Sequence, residues 1–281
     1  MDDNKTKIQE LLKKIKANKK YSSISDDIVK KEIEKFSKRY NADLYNDKIA
    51  IKVIRKELHR LYSSYQTKGK KKRNVMLDNL KEQIDKNVPQ SEVLELTNTM
   101  LKTTLATKER LDKYPTIYQK IFKITGKPKS ITDLGCGLNP ISIPYMKLGK
   151  IKYNAYDIDE EDINFLNKFF KTLNINGKAK ILDAREINQL KKLPKSDILL
   201  MFKLYDLIIP KNKKQKKKIS EDIINILKTK ANYLVISFAT KTLTRRSMKL
   251  PRRIGFEMLL DRNQLSYEFI ETDNEIYYVV S

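Results

Sequence analysis

The sequence is poor in residues that many catalytic and structural chemistries require. Its 281 residues include one cysteine, Cys136, one histidine, His59, and no tryptophan. A single cysteine excludes an internal disulfide framework and a thiolate metal cluster, and a single histidine argues against a His-rich metal site or a His-based triad. The apolar runs are too short to cross a bilayer, and the N-terminus lacks the apolar core of a secretory signal. We therefore expect a cytoplasmic protein without a metal or a membrane segment.

Positive charge is what the sequence has in excess. Lys and Arg total 59 against 35 Asp and Glu, a net charge of +24, although the hydrophobic content of 40% is that of a folded chain. This imbalance indicates an anionic partner, with nucleic acid as the leading candidate. A lysine run at 211–218 adds to the charge. Two further clusters are predicted to bind RNA, namely Lys70, Lys71, Lys72 and Arg73 in a predicted loop, and Lys241, Arg245, Arg246, Lys249, Arg252 and Arg253.

The hydrophobic pattern divides the chain into a helical part and an α/β part. Apolar residues at helical spacing begin near residues 8, 28 and 51, and another helix is predicted over 91–105. Strands are predicted at 130–134, 152–157, 179–183, 197–202, 233–238, 267–271 and 275–280, with helices at 160–173 and 220–228. This alternation predicts an α/β fold with a Rossmann-like sheet over 107–281, preceded by an all-helical RNA-binding domain over 1–106.

A glycine-rich segment follows the first predicted strand. It reads Asp-Leu-Gly-Cys-Gly-Leu-Asn-Pro over 133–140, and Gly135 and Gly137 permit a tight turn and close ligand approach. A NAD-binding motif would have a third glycine where Pro140 stands. An acidic residue before the glycines, without that third glycine, instead suits S-adenosylmethionine, which has no pyrophosphate to bind.

Three aspartates mark the ends of successive predicted strands. Asp133 ends the first, Asp157 ends the second, where a carboxylate can accept both ribose hydroxyls, and Asp183 ends the third. The Asp183 carboxylate or its neighbouring backbone can read the adenine amino group. One such aspartate alone would be taken as a turn or cap residue, but three together favour the cofactor site.

The residue inventory restricts the methyl acceptor. Methylation of cytosine carbon-5 needs a cysteine nucleophile, and Cys136 lies in the glycine turn. The Asn-Pro-Pro-aromatic motif of amino-group methyltransferases is absent, because Asn139-Pro140 is followed by Ile141. A purine ring nitrogen has its own lone pair, so catalysis would consist mainly of alignment and electrostatics.

The sequence resembles the Arm family of aminoglycoside-resistance 16S rRNA methyltransferases, including FmrO-like members, which modify guanine at ring nitrogen-7. The resemblance covers nearly the whole chain, and the matching segments are 19–21, 26–29, 107–111, 133–140, 155–159, 202–204, 235–238, 241–243 and 256–257. The sequence departs from the family pattern at 204–206 and 248–253, near the predicted target pocket. The resemblance implies a class I methyltransferase fold, S-adenosylmethionine as cofactor, and a monomer that acts on 16S rRNA within the 30S subunit, without a metal.

The resemblance also implies roles for individual residues. Arg110 would hold the cofactor carboxylate, Lys203 would act electrostatically in the target pocket, and Glu257 would accept hydrogen bonds from the guanine edge. Tyr205 is a stacking candidate for a flipped base. The full set of expected cofactor-binding residues is Arg110, Asp133, Gly135, Cys136, Gly137, Asn139, Pro140, Asp157, Ile158, Asp183, Ala184 and Phe202.

Two alternatives remain open from the sequence. A methyltransferase with the same cofactor could act on another RNA, such as tRNA, or on another base atom. A noncatalytic ribosome-binding protein could retain the fold, and a lack of affinity for S-adenosylmethionine would identify it.

Overall fold

A computed structural model describes residues 2–40, 46–62, 68–210, 212–241 and 252–281. Arg245, Arg246 and Lys249 of the second basic cluster lie outside these residues. Among the helices described, none has the length and apolarity that a membrane crossing requires.

The first three helices form a unit with a core of its own. They are α1 (Asp2–Lys16), α2 (Asp26–Tyr40) and α3 (Asp47–Leu61), and together with Tyr62 we call them the three-helix unit. The apolar stripes predicted from the sequence become this core, with Ile15, Ile33 and Leu58 fully buried. The side chain of Asn46 caps α3 by accepting a hydrogen bond from the Lys48 backbone.

The next two helices pack differently. A 3-10 turn, Lys68–Lys72, leads into α4 (Arg73–Asp85) and α5 (Gln90–Leu101). Apolar side chains of both helices, among them Leu80 and Met100, join the core on one face of the sheet. The packing therefore divides the N-terminal helices after α3, while the domain boundary after residue 106 stays a prediction.

Seven strands of the described chain form one sheet in the order β3-β2-β1-β4-β5-β7-β6. β1 to β5 are parallel, and β7 runs antiparallel to both β5 and β6. The predicted α/β class with a Rossmann-like sheet is confirmed. The strands are β1 (Ser130–Leu134), β2 (Lys152–Asp157), β3 (Gly177–Ile181), β4 (Ser196–Phe202), β5 (Ala231–Ala239), β6 (Tyr267–Glu271) and β7 (Glu275–Val280).

Helices connect the strands and cover both faces of the sheet. They are α6 (Leu105–Arg110), α7 (Tyr114–Thr125), α8 (Ile143–Met146), α9 (Glu160–Thr172), α10 (Ile187–Leu190), α11 (Tyr205–Ile208), α12 (Lys213–Lys228) and α13 (Ile254–Arg262). The carboxyl ends of the parallel strands meet at one edge, where α/β sheets of this kind bind ligands.

Two predicted boundaries are wrong for identifiable reasons. The third strand ends at Ile181, because its partner β2 ends at Asp157, and Asp183 therefore lies in the following loop. The helix predicted over 91–105 stops at Leu101. There the Thr103 hydroxyl donates to the Met100 carbonyl and the Thr107 hydroxyl to the Leu101 carbonyl, so side chains satisfy the end of the helix.

Candidate active site

The glycine turn, residues 135–138, bends sharply because two of its residues have positive φ. Gly135 has φ +60° and Gly137 has φ +47°, in the region that favours glycine. A Cβ at Gly135 would lie 2.7 Å from the Leu204 side chain, so a larger residue there would require Leu204 to move and would also strain the backbone. Between the glycines, Cys136 is buried, and burial raises the pKa of its thiol, so the thiolate that a nucleophile needs is disfavoured.

Asp133 presents a buried oxygen without a protein partner. Its Oδ2 accepts hydrogen bonds from the Tyr153 hydroxyl at 2.7 Å and from Asn139 Nδ2 at 2.9 Å. Its Oδ1 is buried and has no hydrogen-bond partner among the described residues. Burial raises the pKa of this carboxyl to about 6, although the two hydrogen bonds oppose the rise. A buried acceptor is costly unless it is paired, so this atom calls for a donor from a ligand.

Asp157 joins the end of β2 to the glycine turn. Its Oδ2 accepts from the Gly137 backbone at 2.8 Å, and its Oδ1 accepts from the Ile158 backbone at 2.7 Å. Burial, together with the nearby Asp162 carboxylate, raises the pKa of Asp157 to about 7. The carboxyl is therefore poised to change charge near neutral pH.

Asp183 is engaged by an arginine that the sequence did not single out. Arg185 places Nη2 2.6 Å from Asp183 Oδ2 and Nε 2.9 Å from Oδ1, and its Nη1 lies 2.8 Å from Glu32 of α2. Burial would raise the pKa of Asp183, but the hydrogen bonds from Arg185 outweigh it and the pKa is lowered. Arg185 thus links this loop to the three-helix unit, a contact that no local pattern could reveal.

Arg110 is buried against a carboxylate from the last strand. Its Nε and Nη2 each lie 2.9 Å from an oxygen of Glu275, and its guanidinium carbon lies 5.0 Å from the centre of the Phe202 ring. Glu275 is 0% exposed and also accepts a short hydrogen bond from Ser237. Glu275 was not predicted as a site residue, because in the sequence it is an ordinary residue of a strand in the closing hairpin.

Lys203 follows β4 in a strained conformation. Its φ of +55° is uncommon for a residue with a side chain, and such strain is concentrated at functional sites. Its Nζ lies 2.8 Å from Glu109 and 3.4 Å from Glu275. The ammonium group is therefore shared between two carboxylates beside Arg110.

These residues surround one cavity at the carboxyl ends of the strands, which we call the strand-end cavity. All expected cofactor-binding residues line it except Pro140, which is buried in the 3-10 turn after the glycines, and Lys203 also lines it. Leu61 and Tyr62 of the three-helix unit contribute to the wall, as do Asp162, Arg185 and Leu204. Among these additional residues, no sequence motif marked Leu61, Tyr62, Asp162 or Arg185, because only the fold brings their elements to the cavity.

The structure does not bring Glu257 to the strand-end cavity. Its carboxylate accepts from Arg252 at 2.6 and 2.9 Å and from the Tyr278 hydroxyl at 2.6 Å, and it does not line the cavity. The placement of Glu257 beside the target base therefore stays a prediction. Tyr205 is likewise buried, with its ring 5.7 Å from Phe238, so it is a core residue rather than an exposed stacking platform.

The first basic cluster is only partly available to RNA. Arg73 is 3% exposed and its Nη1 lies 2.5 Å from Asp162, while Lys70 Nζ lies 2.8 Å from Asp159. The prediction that Lys70 and Arg73 contact RNA is wrong, because internal carboxylates already bind both cations. Lys71 and Lys72 are exposed, and their RNA contact stays a prediction.

The described part of the second cluster lies beside α13. Lys241, just after β5, is partly exposed. Arg252 pairs with Glu257, and Arg253 Nη2 donates to the Ala239 carbonyl and lies 3.3 Å from Asp206. RNA contact by these residues stays a prediction.

Comparison with known proteins identifies the family. Residues 17–279 match the family model described as ribosomal RNA methyltransferase (FmrO). The chain belongs to this family. It is 30% identical to a 16S rRNA (guanine(1405)-N(7))-methyltransferase of Proteus mirabilis, over 100% of this chain and 99% of the relative. A protein of the same name from Micromonospora echinospora is 26% identical over 82% of each chain.

Solved structures show the same fold. The 16S rRNA methyltransferase RmtF in complex with S-adenosyl-L-homocysteine has a TM-score of 0.75 at 20% identity, covering 98% of this chain and 97% of that one. The 16S rRNA methylase RmtB has a TM-score of 0.70 at 19% identity, covering 98% of both. The class I methyltransferase fold with its helical N-terminal region is therefore shown for this FmrO-family chain.

Proposed function

We propose that this chain transfers a methyl group from S-adenosylmethionine to ring nitrogen-7 of a decoding-region guanine in 16S rRNA of the 30S subunit. The observation that carries the proposal is the strand-end cavity, in which Asp133, Asp157 and Arg110 converge in a chain of the FmrO family. The names of the curated relatives specify guanine 1405 and nitrogen-7.

The residues of the cavity fit this cofactor. The unpartnered Asp133 Oδ1 can accept a hydrogen bond from an amino group, and Asp157 can accept hydrogen bonds from ribose hydroxyls. Arg110 supplies a cation for a carboxylate, with Glu275 fixing the plane of its guanidinium group. When bound, S-adenosylmethionine supplies an electrophilic methyl group.

The proposed reaction needs no general base. Guanine nitrogen-7 carries a lone pair, so the protein must align it with the methyl group and exclude competing geometries. Lys203 lines the cavity and would act on the target electrostatically, while Glu109 and Glu275 hold its ammonium group in place.

The decisive experiment is methylation of purified 30S subunits with isotopically labelled S-adenosylmethionine, followed by mapping of the labelled nucleotide and atom. Label on nitrogen-7 of a decoding-region guanine is expected. Label on another base atom or on tRNA would replace the proposed substrate. Subunit binding without affinity for the cofactor would identify a noncatalytic factor.

Affinity for S-adenosylmethionine should rise with pH through neutrality. The pKa of Asp133 is raised to about 6 and that of Asp157 to about 7, and ionised carboxylates are the better acceptors for amino and hydroxyl groups. Titration calorimetry between about pH 4.5 and pH 8.5 measures the effect, because these limits lie about 1.5 units below the lower and above the higher of the two pKa values. Asp157→Asn should remove the upper part of the rise, and a flat wild-type profile would contradict this assignment.

A groove on the three-helix unit offers a docking surface for RNA phosphates. Its charged lining residues are basic, and Lys48, Lys52 and Lys56 are exposed along α3 without a salt bridge to any described residue. Lysines that contact phosphates release counterions, which makes binding salt-dependent.

Replacing these three lysines by glutamine should weaken 30S binding and make the negative slope of log affinity against log salt shallower by about 2. Binding to labelled subunits at several salt concentrations measures it. The control removes the same charge from three exposed lysines elsewhere, Lys120, Lys123 and Lys127. An equal effect of both triple variants would show a general charge effect and exclude a specific groove.

A further inference from the structure

The three-helix unit is fastened to the loop that follows β2. The backbone of Ser25 donates to the Ile158 carbonyl at 3.1 Å, and the Glu160 backbone donates to the Ser23 carbonyl at 2.9 Å. Ile158 lines the strand-end cavity together with Leu61 and Tyr62 of the unit. One wall of the cavity therefore comes from outside the methyltransferase sheet, and its place depends on this junction.

Lys70 lies in the middle of the junction. Its Nζ is 2.8 Å from both carboxylate oxygens of Asp159, 2.7 Å from the Tyr62 hydroxyl and 2.9 Å from Ser23 Oγ. Ser23 lies in the connection between α1 and α2, and Tyr62 follows α3, whereas Asp159 follows β2 and is 0% exposed. One ammonium group thus bridges three segments that are distant in sequence.

The same ammonium group balances acidic charge near Asp157. The carboxylates facing this region are Asp159, which caps α9, and Glu161 and Asp162 of α9; the cations are Lys70 of the 3-10 turn and Arg73 of α4. Burial alone would lower the pKa of Lys70, but Asp162 and Asp159 outweigh it and raise the pKa, so Lys70 stays charged. Its loss would leave more uncompensated negative charge beside Asp157 and hinder ionisation of that carboxyl.

We propose that Lys70 is a positioning residue for cofactor binding, which holds the three-helix unit against the β2–α9 junction so that Tyr62 and Asp157 keep their places around the cavity. The inference rests on the proposed function, since it takes the cavity as the cofactor site.

The test compares Lys70→Gln with Lys71→Gln in the full chain. Both changes remove one positive charge from the same 3-10 turn, but Lys71 is exposed and has no salt bridge to a described residue. S-adenosylmethionine binding is measured by calorimetry across neutral and alkaline pH, and 30S binding is measured without cofactor at two salt concentrations.

Lys70→Gln should weaken cofactor binding about tenfold, because Tyr62 and Asp157 would be held less firmly around the cavity, and should move the rise in affinity to higher pH. Lys71→Gln should leave both the affinity and the pH profile as in the wild type. Equal cofactor affinity and pH profile in the two variants would overturn the inference. The inference would also be overturned if both variants lost 30S affinity and salt dependence equally while cofactor binding stayed unchanged. That result is expected if Lys70 and Lys71 are both surface residues that contact phosphates.

A second variant guards against misfolding of Lys70→Gln. Tyr62→Phe keeps the ring in the cavity wall and removes the hydroxyl that Lys70 contacts, so cofactor affinity should fall by about threefold. An unchanged affinity would contradict the role of the junction. A wild-type chain that binds no S-adenosylmethionine would overturn the proposed function and this inference together, whereas normal wild-type methylation with unaffected variants would overturn the inference alone.

Discussion

Replacing Asp157 by alanine should weaken S-adenosylmethionine binding by about 100-fold and leave 30S affinity within about twofold of the wild type. Two charge-assisted hydrogen bonds to ribose hydroxyls would be lost, at about 1.5 kcal/mol each. The Gly137 and Ile158 backbone groups would also lose their acceptor, so the glycine turn would be held less firmly. The RNA-docking surface proposed on α3 does not include Asp157.

Calorimetry with the cofactor and a separate binding assay with 30S subunits at fixed salt measure the two affinities. Asp157→Asn is the matched variant, because it retains one acceptor oxygen but no charge. Its cofactor affinity should lie between that of the wild type and that of Asp157→Ala. An equal loss of cofactor and subunit affinity in Asp157→Ala would contradict the division between the cavity and the docking surface.

Replacing Glu275 by glutamine should lower the free energy of unfolding by about 3 kcal/mol and weaken cofactor binding. Removing one partner of a buried ion pair leaves the other charge uncompensated, and Arg110 and Glu275 are both almost completely inaccessible to solvent. Glutamine keeps one acceptor oxygen, so the guanidinium group also loses one of the two hydrogen bonds that fix its plane beside the cavity.

Denaturant unfolding and cofactor titration measure these effects. Glu271→Gln is the control, since Glu271 lies on the same hairpin but is exposed. Burial would raise the pKa of Glu275, but Arg110 and Lys203 outweigh it and lower the pKa. The difference in stability between wild type and Glu275→Gln should therefore be present above pH 4.5 and be lost as the pH falls further below it. A variant as stable as the wild type at neutral pH would show that this ion pair does not support the site.

Ion pairs with carboxylates change how Arg110 and Lys203 act in the site. The sequence suggested Arg110 and Lys203 as groups that meet the cofactor and the target directly, but Glu275 contacts both and Glu109 contacts Lys203. Their positions are consequently fixed before any ligand arrives, and preorganised charge is more effective than charge that must reorient.

Local sequence determined the elements and the centre of the site. The predicted bounds of β1, β2, β6 and β7 match the structure residue for residue, because each is a short apolar or alternating run between turn residues. Gly135, Gly137 and Asp157 could also be identified from local sequence. Tight turns and strand ends have requirements that adjacent residues satisfy, so the sequence displays them directly.

Tertiary structure decided which charged residues are free. Nothing near Lys70 or Arg73 in the sequence distinguishes them from Lys71 and Lys72, yet Asp159 and Asp162 bind the first two inside the protein. Glu275 reaches Arg110 across 165 positions of the chain, and Arg185 reaches Glu32 across 153. Hydrophobic periodicity specifies which face of an element is buried, but the partner of a buried charge depends on which distant segments the fold brings together. The composition and motifs thus determined an RNA-directed methyltransferase fold, and the packing of the three-helix unit against the sheet decided which of its many cations remain available to RNA.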